Sequence, residues 1–226
     1  MSRRLTWGAA AIGLLLWFGE LLREVATNSG LANTVDPWLA SAVAAHRIGW
    51  LEMGLSILTW LGSSVFLIPL GAIVAGWLWR RDRTLRPAVS LALAIGGAAA
   101  LYDGIKPLVG RVRPPAVLQY GGPDTDFGFP SGHATQSSSF YAMLVVVLVT
   151  WMWPHRRLLL SLVAVSIVAI VAVSRIYLDL HWLTDVLAGL ALGLAWFSIL
   201  MAFMAGASSP LASRSPSTPS GRTGPA

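Results

Sequence analysis

Long apolar runs separated by short basic clusters dictate what this chain can become. Leu5–Leu22, Gly54–Trp79, Pro87–Ile105, Thr135–Trp153, Leu158–Val173 and Trp182–Ala205 are each close to the length that crosses the hydrocarbon of a bilayer as a helix. In lipid every backbone N–H and C=O needs an internal partner, so such runs become helices packed side by side. Of the 226 residues 55% are hydrophobic and 12% charged, about half the charged share of a soluble domain. The expected fold class is therefore all-α, a polytopic membrane bundle of six transmembrane helices spanning residues 1–207. A Ser/Pro/Gly-rich tail, 208–226, is expected to be disordered and cytoplasmic.

Between the first two spans, Asp36-Pro37 has the form of an N-cap followed by proline at the first helical position. Trp38, Leu39, Ala42, Val43, Trp50 and Leu51 follow at roughly helical spacing, which predicts a short amphipathic helix in the membrane interface. Pro69 is expected to kink the second span. The first span carries Glu20 near its end and no small-residue cleavage pattern after it, so it reads as an uncleaved helix. Gly189-x-x-x-Gly193 in the sixth span reads as a packing face.

Six spans put both termini on one side. That side collects Arg3, Arg4, Arg80, Arg81, Arg83, Arg86, Arg156, Arg157, Arg214 and Arg222, so the termini are expected in the cytoplasm of an inner or plasma membrane. Trp7, Trp77, Trp79, Trp151 and Trp153 would anchor the same interface. The net charge of +6 flanks spans instead of forming a patch, so no nucleic-acid partner is expected. With no cysteine, neither disulfides nor thiol chemistry enters.

The chemistry-bearing residues fall into three groups, all on the extracytoplasmic side. The first is Lys106 followed seven residues later by Arg113-Pro114, and Lys106 is the only lysine beside 15 arginines. The second is Pro130-Ser131-Gly132-His133 just before the fourth span, where a helix start offers free backbone N–H groups and the positive dipole end to an anion. The third is Ser174-Arg175 with His181 and Asp185. A carboxylate one helical turn from an imidazole can accept from one ring nitrogen and leave the other as base or nucleophile. Fixed cations suit a phosphoryl group whose oxygens rearrange during transfer. His133, His181 and Asp185 would also serve as metal ligands, but three nearby cations with no acidic cluster to balance them disfavour a divalent metal.

The three groups together resemble the signature of the type 2 phosphatidic acid phosphatase superfamily: K-x6-R-P, P-S-G-H and S-R-x5-H-x3-D, in order and with every position filled across residues 106–185. The resemblance implies a membrane phosphatase acting on a lipid phosphate or diphosphate without metal or other cofactor. It implies His181 as nucleophile through a phosphohistidine, Asp185 as its orienting partner and His133 as general acid, then base. It implies Lys106, Arg113, Ser131, Gly132 and Arg175 as the phosphate cradle. The residues alone reach the cradle and the oriented histidine; which histidine attacks comes from the resemblance. Leu183 stands where many relatives carry proline, which bears on how the last helix begins.

Five further residues lie close to the motifs. Asp103, one turn before Lys106, reads as its ion-pair partner, and both Asp103 and Asp179 read equally as holding cations in place or as acting in the chemistry. Arg111 and the acidic pair Asp124 and Asp126 read as a solvated loop bordering the site, with a bias on substrate choice as the alternative. The expected partners are a membrane lipid substrate and the bilayer, with no obligate protein partner evident. Undecaprenyl diphosphate, phosphatidate, phosphatidylglycerol phosphate and a lipid A phosphate all fit. The first two are favoured by a short chain with no extra domain. Transfer to an acceptor other than water, and a non-catalytic lipid-binding or transport role, are the competing functions.

Overall fold

The computed structural model describes residues 3–122 and 125–207. They form eight α-helices: α1 (Arg3–Thr27), α2 (Gly30–Ala45), α3 (Gly49–Leu58), α4 (Ser64–Asp82), α5 (Arg86–Val109), α6 (Gly132–Trp151), α7 (Arg157–Tyr177) and α8 (Leu183–Ala207). Five of them are long and apolar enough to cross a membrane, and α3 with α4 makes a sixth candidate. The all-helical membrane architecture is thus the one the apolar runs predict. The expected tail, with Arg214 and Arg222, lies outside the described residues, as does Asp124.

The helix α6 is the centre of the bundle, packed against α4, α5, α7 and α8. Its core face carries Phe140, Met143, Leu144 and Val147, which meet Leu67 and Leu78 of α4 and Leu91 and Ala94 of α5. Its first two turns are polar yet buried, and their side chains find partners. Gln136 accepts from Ser64 Oγ and donates to Tyr102 Oη, both at 2.7 Å, while Ser139 donates to Ala94 O at 3.0 Å. In lipid such bonds replace the water a soluble helix would use.

The Gly189/Gly193 pair does what its spacing predicts. A Cβ on Gly189 would sit 2.7 Å from Ser131 O, and one on Gly193 2.2 Å from Thr135 O, so these glycines let α8 lie directly on the start of α6. The helices α1 and α8 run antiparallel: Trp7 packs edge-on against Phe197, and Arg4 lies beside Gly206. Arg81 bonds the Trp151 carbonyl, and its guanidinium lies 4.8 Å over the Trp77 ring. Basic helix ends therefore gather at one end of the bundle, and the three motif groups at the other.

Two expectations need correction. The second span is broken, with a 3-10 turn at Thr59–Gly62 and a bend of 49° between α3 and α4. The break falls at Ser63, whose Oγ accepts from Val65 N at 3.2 Å and restarts the helix. Pro69 lies inside α4. Gly62 fits only without a side chain, because a Cβ there would lie 2.5 Å from Val171 and 3.3 Å from the His133 carbonyl.

The segment after the first span holds two helices where one was expected, and Asp36 is no N-cap. The helix α2 begins at Gly30, where Leu31 N donates to the Glu24 carboxylate at 2.8 Å. Asp36 and Pro37 lie inside it. Only Ala32, Asp36 and Ala40 are buried on α2, a stripe at four-residue spacing that turns the Asp36 carboxylate inward.

Candidate active site

Four helices and one connection converge at the motif-bearing end. Lys106 lies buried in the last turn of α5, which Gly110 closes in the left-handed conformation (φ 63°). The connection from 110 to 131 brings Arg111 and Arg113. Ser131 precedes the first turn of α6, and Arg175 lies in the last turn of α7. His181 and Asp185 bracket the start of α8.

Hydrogen bonds fix these elements to one another. Ser131 N donates to Asp185 O at 3.0 Å, locking the starts of α6 and α8 together. Asp185 Oδ2 accepts from Trp182 N at 3.1 Å, so the first turn of α8 forms with leucine at 183. Phe129, fully buried against Phe18 with ring centroids 5.7 Å apart, anchors the chain just before Pro130-Ser131. Arg47 ties the loops at this end together, bonding Asp179 and the Leu118 carbonyl, while Tyr120 N donates to Leu178 O at 3.0 Å. The cation that Asp179 holds is thus Arg47.

His181 is 3% exposed and has its two ring nitrogens in different company. Nε2 lies 3.1 Å from Arg113 Nη1, and Nδ1 lies 3.5 Å from Asp185 Oδ2. A guanidinium only donates, so the lone pair sits on Nε2 and the proton on Nδ1, toward the carboxylate. Burial, then the cations of Arg175, Arg113 and Lys106, hold the proton affinity of His181 well below the ordinary imidazole value. The ring is therefore neutral at neutral pH with its free lone pair facing a guanidinium. His133, in the first turn of α6, is within electrostatic reach of Arg175, His181, Arg113 and Lys106.

All eight residues singled out for the site lie at this end of the bundle. Ser131 is fully buried, and its hydroxyl has no partner among the described residues, a donor left for a ligand. Gly132 packs so closely on Tyr102 that a Cβ would meet the ring at 3.1 Å, leaving the backbone N–H groups at the helix start uncovered by a side chain of its own. An open cavity of about 290 Å³ adjoins Arg113, lined by Arg111, Pro114, Gln119, Asp126 and Phe127 among others.

The charges around the cradle differ from expectation. Lys106 pairs with Asp126, and Asp103 is exposed. Asp126 also binds Arg113 through its carboxylate, and its backbone carbonyl accepts from Arg113 Nε at 2.9 Å. Burial acts to raise the proton affinity of Asp126, but Lys106 and Arg113 outweigh it and leave it below the usual carboxylate range. Arg111 is no solvated neighbour. Its Nη1 donates to Asp185 Oδ1 and Thr184 Oγ1, and its Nη2 to Asp36 Oδ2, each at 2.6 Å.

Acidic groups are thus interleaved with the cations as single carboxylates, each tied to an ammonium or a guanidinium. Among the described residues no three His, Asp or Glu side chains are grouped to hold a metal ion. Sequence reasoning took Asp36 for a helix cap and so missed its place at the site, and it missed Gly128, where a Cβ would lie 2.9 Å from Asp185 Oδ2.

Known proteins share this layout. The chain matches the PAP2 superfamily over residues 87–208. It is 31% identical over 196 residues to phosphatidylglycerophosphatase B of Bacillus subtilis, covering 85% of this chain and 93% of that protein. Undecaprenyl-diphosphatase of Sulfolobus acidocaldarius is 28% identical over 160 residues, covering 69% and 71% of the two chains. The crystal structure of a transmembrane PAP2 type phosphatidylglycerolphosphate phosphatase from Bacillus subtilis superposes with a TM-score of 0.81 at 27% identity, over 89% of this chain and 98% of that one. A buried imidazole among fixed cations, on a helical membrane scaffold shared with these enzymes, makes the chain a multi-pass membrane phosphatase belonging to the PAP2 superfamily.

Proposed function

We propose that the chain hydrolyses a lipid phosphate or diphosphate at the outer leaflet through a phosphohistidine on His181, without a metal. The observation that carries this reading is the environment of His181: Nδ1 toward Asp185, and Nε2 toward the Arg113 guanidinium. A phosphoryl oxygen held by Arg113 brings its phosphorus next to the Nε2 lone pair.

Nε2 attacks phosphorus while the bond to the lipid oxygen breaks. The imidazole becomes cationic and Asp185 stabilises it through Nδ1–H. His133 gives its proton to the leaving oxygen, then takes one from the water that cleaves the P–N bond, releasing phosphate and restoring His181. Lys106, Arg113, Arg175, the Ser131 hydroxyl and the Gly132 amide carry the charge of the equatorial oxygens. For a diphosphate the leaving group is the lipid monophosphate.

Outer-leaflet placement is supported by the basic residues gathered at the opposite end of the bundle. The substrate class follows the relatives: phosphatidylglycerol phosphate and undecaprenyl diphosphate are the first to assay. The test is phosphate release from both lipids by detergent-solubilised protein, with EDTA present, beside His181→Ala. The proposal expects release that EDTA spares and the substitution abolishes. Turnover surviving in His181→Ala, or lost with EDTA, contradicts it. A lipid or sugar acceptor in place of water would show as product formation without free phosphate.

A further inference from the structure

We propose that Asp36 is a positioning residue for the reaction, holding Arg111 so that the Asp185 carboxylate stays directed at His181. The proposal rests on reading His181 as the attacking imidazole. Asp36 comes from α2, a helix outside the three motifs, yet it is 2% exposed and every contact it makes reaches the catalytic end.

Its Oδ1 accepts from Thr184 N at 3.1 Å, and its Oδ2 from Thr184 Oγ1 at 2.5 Å and Arg111 Nη2 at 2.6 Å. The other arm of the Arg111 fork reaches Asp185 Oδ1 at 2.6 Å, and Asp185 Oδ2 faces His181 Nδ1 at 3.5 Å. The four groups form one line from α2 to the nucleophile.

Two consequences follow from this geometry. Asp36 caps the first turn of α8 from across the bundle, which sets where Asp185 stands. It also shares the charge of Arg111. Without Asp36, the guanidinium would act on Asp185 alone and weaken its support for an imidazole that turns cationic during attack. A buried Asp–Arg–Asp array is a poor source of stability by itself, since apolar side chains of similar volume often serve as well. Its far end is Asp185, the partner of His181, which gives the array a different use.

His181 is faced by Lys106 from α5, Arg113 and Asp126 from the 110–131 connection, His133 from α6, Arg175 from α7 and Asp185 from α8. All of these remain in Asp36→Asn, so a shift in the pH profile reports the loss of one anion. The experiment measures kcat, KM and the acid limb of kcat/KM on the full chain in detergent. Asp36→Asn is expected to lower kcat about tenfold, to leave KM within about twofold, and to move the acid limb to lower pH, because removing an anion makes the imidazole less basic. Asp36→Glu keeps the charge and is expected to lower kcat while leaving the limb at its wild-type position.

An unmoved limb in Asp36→Asn overturns the proposal, as does a limb in Asp36→Glu displaced to lower pH. Where Asp36→Asn does not fold, the Asp36→Glu limb decides alone. His181→Ala run beside them separates the two readings: residual turnover there defeats the nucleophile assignment, whereas a dead His181→Ala with an unmoved Asp36→Asn limb defeats only the role of Asp36.

Discussion

On the proposed mechanism, Asp126 occupies the ground the substrate phosphate needs. Its carboxylate binds Lys106 and Arg113 together, and its side chain is 50% exposed while theirs are 11% and 5% exposed. An incoming phosphoryl group must displace it. Each ion pair to a half-exposed carboxylate contributes about 0.5 kcal/mol after solvent screening. Two such pairs make displacement cost about 1 kcal/mol, or about fivefold in affinity. Asp126→Asn removes the charge and keeps the backbone carbonyl that accepts from Arg113 Nε.

The substitution is expected to lower the inhibition constant for vanadate about fivefold and KM by a similar factor, with kcat little changed. Lys106 and Arg113 keep Asp126 ionised, so the effect holds across neutral pH. The sign is that of a depressed carboxylate: the stabilising pairs are intact above about pH 4 and are lost as pH falls through the folded value. Vanadate inhibition of phosphate release, measured in detergent for both proteins, decides the matter. Vanadate binding that is unchanged or weaker in Asp126→Asn would show that the carboxylate props up the cradle and does not compete for it.

The acid limb of kcat/KM in the wild-type protein should lie below the ordinary imidazole value of about 6.5, because burial and three cations favour neutral His181. By the same sign the unfolded chain binds that proton first as pH falls, so thermal stability should decline below about pH 6.5; a melting temperature flat from 8 to 5 would contradict this. Arg111→Ala leaves two buried carboxylates, Asp36 and Asp185, without their shared cation and should cost about 3–5 kcal/mol of stability, read as a fall in melting temperature. Gly193→Leu forces α8 off the start of α6 and should cost at least about 1–3 kcal/mol while lowering kcat, since Asp185 moves with the helix; a stable, fully active variant would refute the close packing.

The parts that sequence reading found are those whose chemistry is local. The apolar runs specify helices because lipid leaves them no alternative, and the Ser131-Gly132 helix start and the Gly189/Gly193 stripe follow from spacing alone. What it missed depends on contacts between distant residues. Asp36 looks like a helix cap because Asp-Pro is usually one, and its partner Arg111 lies 75 positions away. Asp126 sits among turn residues that read as solvated, and only the fold carries it to Lys106. Gly128 has no signal in its neighbours; the need for glycine arises from Asp185. The break in the second span had a faint mark in Gly62-Ser63, overshadowed by Pro69.

The central claim is that phosphorus passes through His181. The direct measurement is rapid acid-free quenching of the enzyme with a 32P-labelled lipid phosphate, followed by mapping of the label. The account predicts a base-stable, acid-labile phosphoramidate on the peptide containing His181, absent from His181→Ala and lost on a chase with water. Label on another residue, or turnover with no protein-bound phosphate at any time, would contradict it.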